Sequence, residues 1–243
     1  MIDLYNGDCL EVMDKLINDG VKVDLILTDP PYELTNHGGT KSKMAQRAAK
    51  VRDEIDFIAQ GFDYKETFEK FLQLQKTANM LIFCSNKQVS KTMSFFEYKK
   101  LSVTLLEWKK TNPSPLCNGK YVSDVEYVVY VRGKNAPWNN NAPLEYKYKV
   151  QEYPVVSSKE RNHPTPKPVG LLERYLEVHS FENMLVFDPF MGGGSTGVAC
   201  KKLNRNFIGI ELDKKKDKGK NKNQSYFDLA KERIEKADIS SAL

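Results

Sequence analysis

The chain has 243 residues, with 37 Lys and Arg against 32 Asp and Glu, a formal net charge of +5. Apolar residues make up 40% and charged residues 28%, the balance of a globular protein rather than a disordered one, and the length suits one large domain over residues 1–243. No apolar run approaches the roughly 18 residues of a membrane helix, Met1–Asn6 lacks the basic and apolar regions of a secretory leader, and four cysteines (Cys9, Cys84, Cys117, Cys200) and three histidines lie too scattered for a zinc site or a disulfide framework. A reduced, cytoplasmic, metal-free protein with no membrane partner is expected, and its mild basicity permits a polyanionic one.

Short apolar runs alternate with amphipathic stretches, the pattern of an α/β sheet. Strands are predicted at Ile2–Tyr5, Val23–Leu27, Met80–Phe83, Ser102–Trp108 and Val125–Val131. The link between the last two, Asn112–Asp124, is too short for a crossover helix, so they are expected as an antiparallel pair at one edge of a mostly parallel sheet. Val169, Leu172, Tyr175, Leu176 and His179 then repeat at helical spacing behind Pro168, which stands where a first-turn proline is tolerated. Strands follow at Met184–Phe187 and Phe207–Ile210, and Phe227, Ala230, Ile234 and Ala237 mark a last helix. Three polar segments, Thr35–Ala59, Lys134–Asn162 and Lys214–Asn223, show no clear period. Long stretches of that kind in a compact domain are usually functional or disordered. The Lys214–Asn223 run reads as a solvated loop.

Two segments carry chemistry. In the first, the strand Leu185–Phe187 runs through Asp188-Pro189-Phe190-Met191 into Gly192-Gly193-Gly194-Ser195-Thr196-Gly197 and a helix. Gly192, Gly194 and Gly197 satisfy GxGxxG, and Glu211 ends the next strand, 19 residues past Gly192. Such glycines let the backbone approach a ligand, the helix N-terminus offers free N–H groups, and a carboxylate on the next strand can accept both ribose hydroxyls. This describes a site for an adenosine-containing cofactor. A nicotinamide enzyme is one reading, but only 32 residues follow Glu211, too few to complete a dinucleotide domain. The remaining strands must come from upstream, in permuted order.

The second segment is Asp29-Pro30-Pro31-Tyr32, at the carboxyl end of the strand Val23–Leu27. Ligands of open α/β sheets sit outside such strand ends. The two prolines bias Asp29 away from helical conformations and stiffen the turn. A carboxylate, the Pro30 carbonyl and an aromatic face presented together suit a base with an exocyclic amine, adenine or cytosine.

With the glycine turn, this tetrapeptide resembles the β-group of S-adenosylmethionine-dependent DNA amino-methyltransferases, in which the catalytic motif precedes the cofactor motif. Asn6-Gly7-Asp8-Cys9-Leu10-Glu11 resembles that family's N-terminal motif, Trp108-Lys109-Lys110-Thr111-Asn112-Pro113 its strand and turn near the target base, and His163-Pro164-Thr165-Pro166-Lys167-Pro168 the element before the glycine turn. Pro166 stands where the family usually has Gln, and Gly193 where Ser is common.

The resemblance implies a Rossmann-like methyltransferase sheet and S-adenosylmethionine as cofactor, with double-stranded DNA as partner. A homodimer stays open. It places Asp8 and Cys9 near the cofactor adenine and His163, Thr165 and Lys167 near its methionine end, with Asp188, Pro189, Phe190, Gly192, Gly194, Ser195, Thr196 and Glu211 completing the cofactor site. Asp29, Pro30, Pro31 and Tyr32 become catalytic. Asp at the first position leans toward adenine N6, since members acting on cytosine N4 more often carry Ser there. DNA contacts are expected from a loop over residues 33–62 through Lys41, Lys43, Arg47, Lys50 and Arg52, and from Lys109 and Asn112. Residues 134–162, with Tyr146, Lys147, Tyr148 and Lys149, are the candidate for target recognition. Besides the nicotinamide enzyme, a nucleic-acid-binding module without activity is the other competing class.

Overall fold

The computed structural model describes residues 1–31, 63–115, 119, 121–157, 166–212 and 225–238. Its strands are β1 (Ile2–Asn6), β2 (Leu25–Thr28), β3 (Asn79–Cys84), β4 (Ser102–Lys110), β5 (Val125–Arg132), β6 (Val150–Tyr153), β7 (Leu185–Asp188) and β8 (Asn206–Glu211). Its helices are α1 (Cys9–Asn18), α2 (Tyr64–Gln73), α3 (Asn86–Tyr98), α4 (Val169–His179), α5 (Ser195–Lys202) and α6 (Tyr226–Lys236). The strands form one sheet in the order β1-β8-β7-β2-β3-β5-β4-β6. All neighbours pair in parallel except at β5, which is antiparallel to both β3 and β4.

The centre of the sheet is buried on both faces because β2, β3, β7 and β8 are largely apolar at consecutive positions. Leu25, Leu27, Leu81, Phe83, Val128, Val186 and Phe207 share one cluster with Leu172, Tyr175 and Leu176 of α4, Cys200 of α5 and Ile234 of α6. The intervening residues Ile26, Met80, Ile82, Val129, Phe187 and Ile208 face the other way, against Met13 and Leu16 of α1, Phe68 and Phe71 of α2 and Phe96 of α3. That alternation is the period of two of a strand, used on both faces. Each helix start also has a local cause. Asp8 caps α1, its Oδ1 accepting from the Leu10 amide at 2.8 Å, and Ser225 caps α6, accepting from the Asp228 amide at 3.1 Å.

The antiparallel β4–β5 pair is present as expected, but it does not end the sheet. A strand inside the segment read as aperiodic, β6, pairs in parallel with β4 and forms the edge. Its pattern was hidden by its inward residue. Gln151 is polar yet only 1% exposed, and its amide donates to the Glu145 and Tyr148 carbonyls at 2.8 and 2.9 Å while Arg174 donates to its oxygen at 3.1 Å. A short 3-10 turn, Leu144–Lys147, precedes it. Among the described residues, no helix is long and apolar enough to cross a membrane.

Candidate active site

The carboxyl ends of β1, β2, β7 and β8 lie side by side, so the segments that follow them converge on one edge of the sheet. Asp188, at the end of β7, ties three of these segments together. Its Oδ1 accepts from the Thr28 hydroxyl at the end of β2 (2.7 Å) and from the Phe190 amide (3.1 Å), and its Oδ2 from the Thr196 hydroxyl in the first turn of α5 (2.7 Å). Burial pushes its carboxyl up to about 6, against the pull of those donors. With both oxygens engaged inside the protein, Asp188 aligns the Asp29-Pro30-Pro31 turn with the glycine turn.

The glycine turn is shaped by its first and third positions. Gly192 and Gly194 have φ of 51° and 76°, the left-handed region that disfavours any residue with a Cβ. The Gly192 amide donates to Glu211 Oε2 at 2.7 Å, which fixes the carboxylate at the end of β8 beside the turn. This bond orients the Glu211 carboxylate, a group with about four acceptor sites, beside the turn. Gly197 serves packing instead: a Cβ there would meet Phe207 at 2.8 Å and press on Ile234. Ser195 and Thr196 are buried in the first turn of α5, and Pro189 is buried in the turn before it. At the end of β1, Asp8 is occupied as the α1 cap. Burial and the Asp8 charge raise the half-buried Cys9 thiol to about 12, so it stays neutral at physiological pH.

Asp29, Pro30 and Pro31 follow β2 directly. The Gln88 amide, at the start of α3, donates to the Pro31 carbonyl at 3.0 Å. The Gln88 oxygen accepts from the Ser85 amide at 3.1 Å and lies 2.7 Å from its hydroxyl. One side chain thus caps a helix and anchors the turn after β2. The Asp29 carboxylate forms an ion pair through Oδ2 with the Lys167 ammonium, and Lys167 also lies 3.3 Å from Glu126 at the start of β5.

Lys109 is exposed and ion-paired to Glu152 at 2.7 Å. Asn112 accepts from the Val155 amide at 2.7 Å and so extends the β4–β6 contact by one step. Tyr32, Lys41, Lys43, Arg47, Lys50, Arg52, His163, Thr165 and the Lys214–Asn223 run lie outside the described residues.

A family model described as DNA methylase, covering amino-methylases of the N6 and N4 type, matches residues 23–222. The chain belongs to this family. A type II methyltransferase, M2.MboI of Moraxella bovis, is 31% identical over 231 residues, covering 87% of this chain and 83% of the relative. The crystal structure of an M1.HpyAVI–SAM complex superposes with a TM-score of 0.70 at 32% identity, covering 96% of this chain and all of that one. PvuII DNA methyltransferase, described as cytosine-N4-specific, superposes with a TM-score of 0.58 at 16% identity, covering 87% of this chain and 82% of that one, a likeness of fold alone.

Family membership bears out the β-group resemblance and the Rossmann-like sheet, and it removes the support for a nicotinamide enzyme. Two residues of this methylase site escaped the sequence reading. Gln88 carries one signal, since Ser85-x-x-Gln88 is a capping box. Glu126 carries none, because it reads as one more residue of a strand.

Proposed function

We propose that this methylase transfers a methyl group from S-adenosylmethionine to N6 of an adenine flipped out of duplex DNA. The observation that supports this best is the Thr28–Asp188–Thr196 bridge, which sets the Asp29-Pro30-Pro31 turn beside the glycine turn on one sheet edge. S-adenosylmethionine, when bound, supplies a methyl activated on a sulfonium. The left-handed glycine turn and the Glu211 carboxylate fit its adenosine, and the Asp8–Cys9 segment adjoins them at the end of β1.

The amine of adenine shares its lone pair with the ring and is a poor nucleophile. Asp29 and the Pro30 carbonyl accept its two N–H bonds, which favours a tetrahedral nitrogen with its lone pair toward the methyl. These bonds strengthen as the nitrogen gains positive charge, so they act mainly in the transition state, and the proton shed by the methylated nitrogen leaves through the Asp29 carboxylate. Holding both reactants aligned contributes effective molarities of about 10⁵ M or more in favourable cases. Flipping the base costs a few kcal/mol, and stacking on Tyr32 recovers roughly 1–3 kcal/mol of it. Residues 33–62 and 134–162 are the proposed DNA-contacting and target-recognition segments, in a cytoplasmic enzyme that works as a monomer or a homodimer.

The test is methyl transfer from labelled S-adenosylmethionine to unmethylated DNA, followed by digestion to nucleosides, with Asp29→Ala as control. N6-methyladenine that vanishes in the variant is expected. N4-methylcytosine would overturn the base assignment. Normal turnover by a folded Asp29→Ala would overturn the mechanism.

A further inference from the structure

At the sheet edge that carries the site, four side chains from different segments stand in a line of alternating charge. Asp29 follows β2, Lys167 precedes α4, Glu126 lies at the start of β5 and Lys110 ends β4. Lys167 contacts Asp29 Oδ2 and lies 3.3 Å from Glu126 Oε2, while Glu126 Oε1 lies 3.0 Å from the Lys110 ammonium. The Lys167 side chain is 9% exposed, and its ammonium sits 5.0 Å from the centre of the Phe83 ring. A buried cation is costly unless it is paired with good geometry. Here two carboxylates outweigh that cost and keep Lys167 charged, and two lysines hold the Glu126 carboxyl below its usual range despite its burial.

Cofactor binding alone does not account for this arrangement, since a lysine needed only for the methionine end has no use for the catalytic carboxylate. Nor does neutralising Asp29 account for Glu126, which is itself an anion and pairs with Lys167. What Glu126 does is share the ammonium, so that Lys167 stays in one place. We propose that Lys167, seated by Glu126, is a positioning residue that holds the Asp29 carboxylate as an anion in one orientation, ready to accept from the target amine. This rests on the reaction proposed above.

Among the described residues, Lys167 pairs with Asp29, with Glu126 behind it on the same ammonium, and Asp188 of β7 and Cys84 of β3 lie within electrostatic reach. The Cys84 thiol is pushed up to about 12 by burial and stays neutral. Asp188 titrates near 6, so the readout is a difference between variants that all retain it. Removing the Lys167 charge takes away the cation paired with Asp29 Oδ2, and losing a neighbouring opposite charge makes a carboxylate easier to protonate.

The experiment is the single-turnover rate of methyl transfer against pH, with cofactor affinity measured by calorimetry on the same proteins. Detectable transfer to adenine by the wild type first separates failure of the reaction assignment from failure of this inference. Lys167→Met is expected to move the acidic limb up by about 1–3 pH units, the effect of losing a neighbouring opposite charge. Lys167→Arg keeps the charge and restores the limb. Glu126→Gln lowers the rate at every pH without moving the limb upward. Because Lys167→Met strands Glu126 without its second cation, the double variant Lys167→Met/Glu126→Gln is measured beside it and is expected to show the same upward shift. An unmoved limb in both Lys167→Met proteins would overturn the proposal, and a fall in cofactor affinity with that limb unmoved would assign Lys167 to the cofactor instead.

Discussion

Substituting Gly194 by Ala tests whether the glycine turn is a conformational requirement or only a sequence signature. Gly194 has φ of 76°, and forcing a residue with a Cβ into that region costs roughly 1–2 kcal/mol. The added Cβ would also lie 2.9 Å from Ala230 Cβ, 3.0 Å from its Cα and 3.1 Å from its carbonyl oxygen. Two of those three atoms are backbone of α6, so no flexible side chain can swing away, and overpacking of that kind costs about 1–3 kcal/mol. The sum, about 2–5 kcal/mol, corresponds to a fall in melting temperature of roughly 4–20 °C for a chain of this size. Differential scanning calorimetry measures it, and isothermal titration with S-adenosylmethionine follows the binding consequence. The displaced turn is expected to weaken cofactor binding about 10-fold or more, which corresponds to ~1.4 kcal/mol. Gly197→Ala serves as the contrast, since its Cβ meets side chains of Phe207 and Ile234 rather than the cofactor side of the turn. It should lower stability while leaving affinity within about 3-fold, a difference of under ~1 kcal/mol. A Gly194→Ala protein that melts within a degree or two of wild type and binds cofactor normally would refute the reasoning.

Two other predictions concern the groups that align the site. Gln88→Ala removes both the α3 capping box and the bond to the Pro31 carbonyl; stability should fall by about 1–3 kcal/mol in urea denaturation, and the single-turnover rate by roughly 10-fold or more from misplacement of the turn. Cofactor affinity should hardly change, and a rate loss that merely tracked affinity would count against the anchoring role. Asp188 is raised from its ordinary 3.8 to about 6 by burial. A folded value above the unfolded one means that its stabilising contribution is full below about pH 3.8 and is lost as pH rises through 6, by ~3 kcal/mol. The stability of wild type relative to Asp188→Asn should therefore drop across that window, and parallel stability curves from pH 4 to 7 would contradict the assignment.

The parts of the fold that were legible in the sequence are those in which local pattern and burial agree. β2, β3, β7 and β8 are consecutive apolar residues because helices cover both faces, and α4 and α6 show their apolar stripes at helical spacing. β6 was not legible because burial there is achieved by a hydrogen-bonded glutamine, which defeats any reading by hydropathy. Among the proposed site residues, Asp29, Glu211 and the glycines were read from spacing and turn chemistry. Asp8 and Asp188 were expected to face the cofactor, whereas Asp8 Oδ1 accepts at the α1 cap and both Asp188 oxygens accept in the inter-strand bridge. A short acidic motif cannot reveal whether its carboxylate faces a ligand or its own backbone.

Glu126 shows why one site residue has no sequence signature at all. In a sheet of parallel strands, side chains reach the ligand edge from carboxyl ends, and motif searches look there. β5 runs against its neighbours, so its amino end lies at that edge, with Val125 opposite Lys109 and Glu126 opposite Trp108. A residue at the start of this strand therefore stands beside Lys110 and Lys167 at the site, although in sequence it reads as one more strand residue after a link. Reversing one strand thus adds a second source of side chains to an edge otherwise supplied only by strand ends. It places an anion beside the Lys167 ammonium that also pairs with Asp29. The same reversal explains why Lys167 takes two partners rather than one: with β5 parallel, Glu126 would lie at the far end of the sheet and the ammonium would face Asp29 alone.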